Sequence, residues 1–131
     1  MPKRRSESCP CGLPAPYADC CGRFHRGEAK AETAERLMRS RYSAFVKLDA
    51  EYLLRSWHPA TRPERLDFEP GLRWEGLEIV RTSDGTAGDT RGVVEFRARY
   101  VQDGQRGDLH EVSRFVRYDD AWVYVNGRIQ S

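Results

Sequence analysis

Four cysteines fall within a single short stretch, Cys9-Pro10-Cys11, then eight intervening residues, then Cys20-Cys21-Gly22, and the chain has no others. Thiolates are the preferred ligands of structural Zn²⁺, which takes four of them in a tetrahedron. Two close-spaced pairs joined by a loop long enough to turn back can supply that tetrahedron locally. Gly12 and Gly22 relieve crowding after each pair, and Pro10, Pro14 and Pro16 stiffen the approach. So short a segment has almost no apolar core, so metal binding, on the order of 10 kcal/mol, would supply most of its ordering energy. Two other uses of the sulfurs fit less well. Adjacent Cys20 and Cys21 bridge only with strain, and the Cys-x-x-Cys spacing of a redox pair is absent. His25, just beyond the cluster, could replace one sulfur; with four thiolates present it is expected at the surface.

A second group of residues suits a pocket. Arg41 and Arg114 carry guanidinium groups that pair with anions through fixed, parallel donors. His58 and His110 titrate near neutrality and are the natural acid or base candidates. Trp57, Trp74 and Tyr100 could wall such a site. The competing reading is structural: a buried Arg41 would pair with Glu95 or Glu111, and His58 before Pro59 would close a helix. No nucleophile–base spacing is visible, so no catalytic residue is assigned.

The elements that must position these groups follow from periodicity. Ala34, Leu37, Met38, Tyr42, Phe45 and Val46 share one helix face, with Thr33 as N-cap and Arg41 at the vacant place on that face. Asp49 caps a shorter helix carrying Tyr52, Leu53 and Trp57, ended by His58-Pro59. Residues 59–73 read as a loop with one helical turn around Pro63–Leu66. Strands are then expected at Trp74–Thr82, Gly92–Val101, Leu109–Tyr118 and Trp122–Asn126, with turns at Ser83–Thr90, at Asp103-Gly104 and Gly107, at Asp119-Asp120 and at Asn126-Gly127. In the third strand Leu109, Glu111, Ser113 and Phe115 share one face, His110, Val112, Arg114, Val116 and Tyr118 the other. Neither is purely apolar, which suits one side toward solvent or a partner and one lining a polar cavity. Helices followed by an antiparallel meander make an α+β fold. The expected division is a zinc-binding segment over 1–28 and an α+β domain over 29–131, joined by a polar connector around residues 24–32.

Composition narrows the class of function. The chain has 131 residues, 32% charged, and a net charge of +2, so it does not read as a nucleic-acid binder overall. The first thirty residues are the basic part, with Lys3, Arg4, Arg5, Arg23, Arg26 and Lys30 against Glu7, Asp19 and Glu28. No apolar run approaches the roughly 20 residues that span a bilayer. The basic start has no apolar stretch behind it, unlike a secretory signal. A cytoplasmic location is expected, where clustered cysteines point to metal before disulfides.

Two resemblances sharpen this. Cys9-Pro10-Cys11-Gly12, Tyr17 and Cys20-Cys21-Gly22 resemble the SEC-C motif, the zinc hook also found in the SecA translocation ATPase; the motif implies Cys9, Cys11, Cys20 and Cys21 as the metal ligands. Leu13-Pro14 departs from its usual Ser-Gly without removing a ligand. Arg39-Ser40-Arg41-Tyr42-Ser43-Ala44-Phe45, Ser56-Trp57-His58-Pro59, Glu95-Phe96-Arg97-Ala98-Arg99-Tyr100, His110-Glu111-x-Ser113-Arg114-Phe115 and Trp122-x-Tyr124-Val125-x-Gly127 are similar to the uncharacterised bacterial YchJ family. That resemblance implies a nuclear-transport-factor-like fold, a cone-like curved antiparallel sheet packed on N-terminal helices around a cavity. It supplies no reaction. The expectation is a zinc-containing binding or adaptor protein. Its hook would dock a protein, ribosomal or nucleic-acid partner, and its cone would hold a ligand or dimerise through the sheet. The alternative is a small-molecule lyase or isomerase using His110 or His58.

Overall fold

The computed structural model describes residues 8–130; the basic residues Lys3, Arg4 and Arg5 lie outside this range. After a single 3-10 turn, Tyr17–Asp19, come three helices, α1 (Cys21–His25), α2 (Ala34–Lys47) and α3 (Ala50–Arg55). Four strands follow: β1 (Leu72–Asp84), β2 (Arg91–Gln102), β3 (Gln105–Tyr118) and β4 (Ala121–Ile129). The strands form one antiparallel sheet in the order β1-β2-β3-β4. Among the described residues, no helix is long and apolar enough to cross a membrane.

The Thr33 hydroxyl accepts from the Arg36 amide at 3.1 Å and starts α2; Leu48 ends it in the left-handed region at φ 58°. Asp49 then caps α3, its carboxylate accepting from the Tyr52 amide at 3.1 Å. That helix stops at Arg55, before Trp57, because the chain leaves it to run alongside β4: the Tyr124 amide donates to the Ser56 carbonyl, and the His58 amide to the Tyr124 carbonyl. The helical turn expected around Pro63–Leu66 does not form. Leu66 and Phe68 instead pack against the cluster of Phe24, Ala44, Tyr52 and Leu53.

Two turn assignments are corrected by the sheet. Gly107 and Gly127 both lie within strands, paired with Tyr100 and Ser113 respectively. A Cβ on Gly107 would fall 2.2 Å from the Tyr100 ring, and one on Gly127 would fall 1.8 Å from the Glu111 carboxylate. These glycines make room for a neighbouring side chain rather than for a turn. The actual β2–β3 turn is Asp103-Gly104, with φ of 51° and 84°, the pattern of a tight hairpin. Register shifts beside Trp74, Ile79 and Arg114 curve the sheet. On its concave side, Val94, Phe96, Ala98, Phe115 and Trp122 close over Ala34, Leu37, Met38 and Tyr42 of α2 to form the main core.

Helix α2 is buried on more than its apolar stripe. Ser40, Arg41 and Ser43 are as inaccessible as Leu37 and Met38: the hook covers Ser40 and Ser43 on the side turned away from the sheet, while Arg41 is enclosed by Leu53, Ser56, Trp57 and Tyr124. The connector expected to be polar also has apolar, docked parts. Phe24 is buried, the His25 side chain is 4% exposed, and the Trp122 indole donates to the Glu32 carbonyl at 3.1 Å.

Candidate functional site

At about 100° per residue, α2 presents Arg36, Arg39, Ser40, Ser43 and Lys47 on one flank and Met38, Arg41, Tyr42 and Phe45 on nearly the opposite one. Each flank meets a different site.

On the first flank sits the cysteine cluster. The sulfurs of Cys9, Cys11, Cys20 and Cys21 all lie within 4.8 Å of one another, and all four residues are buried. None is in a disulfide. A tetrahedral ion with metal–sulfur bonds of about 2.3 Å needs sulfurs about 3.8 Å apart; Cys11 and Cys20 are separated by 3.8 Å. Hydrogen bonds from Cys11 and Cys21, with a further one from Ser43, pull the Cys9 thiol strongly down, while hydrogen bonds with Cys11 and Cys9 and then burial push Cys21 strongly up. The cage tolerates one anionic sulfur but resists several, a situation a divalent cation relieves. The donor set, spacing and charge therefore fit a bound metal ion.

Helix α2 supplies the surroundings of this cage. The Ser43 hydroxyl lies 3.4 Å from the Cys9 sulfur, an Arg36 nitrogen donates to the Cys20 sulfur at 3.6 Å, and Arg39 donates to the Cys11 carbonyl at 2.7 Å. His25 departs from the expected surface position. Rather than lying at the surface, it bonds the Tyr17 hydroxyl through one ring nitrogen and the Ser40 carbonyl, 2.9 Å away, through the other. It pins the hook to α2 without ligating the cluster.

On the second flank is a cavity of about 160 Å³ between α2 and the concave sheet. Arg41, Trp57 and Trp74, drawn together from the sequence, line it; so do Glu111, Ser113 and Tyr124. Arg41 is the buried charge. One of its terminal nitrogens donates to the Leu53 carbonyl and the Ser56 hydroxyl, each at 2.7 Å, and its guanidinium lies 4.5 Å from the Tyr124 ring centre and 5.1 Å from that of Trp57. Burial pulls it down to about 10, still cationic at neutral pH. The expected pairing with Glu95 or Glu111 is absent. Glu95 is on the outer face of the sheet, bonded to His110 at 2.6 Å and Arg81 at 3.2 Å, and Glu111 accepts from the Ser113 hydroxyl at 2.9 Å.

The other pocket candidates lie outside the lining. Strand parity decides two of them: Phe115 and Ser113 face inward, so His110 and Arg114 must face outward. The His58 ring rests against Tyr118 at 4.9 Å and accepts from the Ala60 amide. Tyr100 stands behind Trp74, ring centres 5.6 Å apart, and covers Gly107. The same parity rule would have selected Glu111 and Ser113, since they share a face with Leu109 and Phe115. Tyr124 lay hidden in a short strand whose length the Asn126-Gly127 pair disguised.

Residues 33–127 match the family model described as YchJ, middle NTF2-like domain, and residues 5–23 match the SEC-C motif. The chain belongs to the YchJ family. Relatives include a UPF0225 protein of Streptomyces coelicolor, 62% identical over 91% of this chain and 93% of its own length, and one of Bordetella parapertussis, 47% identical over 98% of each. A SEC-C motif containing protein from Rhodopseudomonas palustris, solved in solution, is similar in structure with a TM-score of 0.84 at 29% identity, covering 95% of this chain and all of the other. A crystal structure of a SEC-C motif containing protein from Psychrobacter arcticus gives 0.78 at 29% identity, over 97% and 85%. In this YchJ-family chain the SEC-C motif carries the cysteine cluster and the NTF2-like domain carries the cavity.

Proposed function

We propose that this protein is a zinc-stapled receptor for a small, largely apolar molecule held in the cone cavity. The observation that carries the reading is Arg41: a cation buried to 4% exposure, without a carboxylate partner among the described residues, beside a walled space. A buried charge that no carboxylate contacts directly is costly to maintain, and a binding role gives it a use. Zinc follows from the donors, since four thiolates gathered within 4.8 Å of one another suit it better than any oxygen-preferring ion. The same four sulfurs fill its coordination shell and leave no place for a reacting water, so the ion is structural. Its cysteines being buried, a docking partner would meet the exposed Gly12, Pro14, Ala18 and Asp19 rather than the metal.

An enzymatic reading has one specific observation in its favour, the Glu111 carboxylate inside the cavity with the Tyr124 phenol, whose ionisation burial disfavours. In that case the base would be Glu111, and neither His58 nor His110.

Two measurements test the receptor reading. Elemental analysis of reduced protein should find one zinc per chain, lost in Cys20→Ser; stoichiometric iron or no metal would refute the zinc assignment. An NMR fragment screen should move resonances of Met38–Phe45 and Leu109–Ser113 together. A screen in which no fragment does so would refute the receptor.

A further inference from the structure

Resting on the receptor reading, we propose that the cavity selects an uncharged, single-ring aromatic molecule bearing both a hydrogen-bond acceptor and a donor, such as an aromatic amide or lactam, and rejects the corresponding anion. Size sets the first limit. A cavity of 160 Å³ is close to the roughly 150 Å³ that accommodates benzene, so one ring with small substituents fills it. Shape sets the second, because Phe45, Trp57, Trp74 and Tyr124 offer flat walls that favour a planar guest.

The polar groups then specify the guest's chemistry. Among the described residues, only one Arg41 nitrogen has protein acceptors. Leaving the others without an acceptor is expensive, and a guest carbonyl would supply one. Glu111 works in the other direction. One of its oxygens accepts from Ser113 and the other has no side-chain donor among the described residues, so it can take an N–H from the guest. Arg41 and Glu111 bring equal and opposite charges to the same lining. A neutral guest leaves that balance intact; an anion would gain Arg41 but meet Glu111 in a desolvated space.

Three probes of one size separate the possibilities: benzamide, benzoate and toluene, titrated into the zinc-loaded protein and followed by NMR shifts of cavity residues. Benzamide should bind about tenfold more tightly than either of the others. Glu111→Gln, which keeps the Ser113 hydrogen bond and removes the negative charge, should narrow the benzamide-to-benzoate ratio by a similar factor. Benzoate or toluene binding as well as benzamide would overturn the polar selection while leaving the receptor intact, and so would an unchanged ratio in Glu111→Gln. If none of the three shifts any cavity residue, the receptor reading falls, and the selection with it.

Discussion

His25 does its work through two hydrogen bonds and an aromatic face. Its ring touches Tyr17 of the hook and the Ser40 carbonyl of α2, and it lies tilted against the Tyr52 ring of α3, ring centres 4.6 Å apart. Replacing it with alanine leaves a buried carbonyl and a half-buried phenol without their partner, a cost of about 1–3 kcal/mol. The expected result of His25→Ala is a lower midpoint in chemical denaturation with zinc content unchanged, since no ligand is removed. Loss of zinc together with stability would mean that His25 completes the metal site. At this scale the sequence was legible for cysteines and much less so for His25, Ser40 and Ser43. Polar residues on a helix are ordinarily read as solvated, and only the docking of a distant segment buries them.

The strands show how local features can mislead about elements. Thr33, Asp49 and the apolar stripe from Ala34 to Val46 located both main helices, because caps and a 3.6-residue period are short-range signals. Strand ends were harder. Gly127 follows Asn126 and so resembles a turn, yet its small size serves the Glu111 carboxylate on the neighbouring strand, a relation that exists only once β3 and β4 are paired. Gly127→Ala should therefore destabilise the protein by about 1–3 kcal/mol, and in a Glu111→Ala background it should cost much less. A double-mutant cycle by thermal or urea unfolding measures that coupling, and additive costs would contradict the packing described. On the outer face, His110 first and Arg81 after it hold the Glu95 carboxyl below its ordinary range. A depressed acid stabilises the fold fully above about pH 4.3, the ordinary unfolded value, and that share is lost as pH falls through the folded one. Glu95→Gln should remove this contribution, visible as a shallower acid limb in stability against pH.

For the whole molecule, the cluster and the cavity are joined by one element. Ser43 and Arg36 hold the sulfurs while Arg41 and Tyr42 line the cavity, all within three turns of α2. Treating the protein with a chelator under reducing conditions should raise amide exchange first across Cys9–Arg26 and then in α2, before the sheet responds. Hydrogen-exchange mass spectrometry reads this order directly. Exchange confined to the hook, with α2 as protected as before, would show that the two sites are independent.

The flank of α2 under the hook is built of the Ser43, Arg36 and Arg39 side chains, which reach Cys9, Cys20 and Cys11, and of the Ser40 carbonyl, which bonds His25. An isolated fragment beginning at residue 29 would therefore not be a cone with an ornament trimmed off. It would expose a seam matched to thiolates and a histidine that are no longer there, together with the floor of the pocket that once held Phe24. Water can satisfy the serines and arginines along that seam, but it cannot replace the apolar contact, so such a fragment would be prone to pair with its own kind through the bared surface.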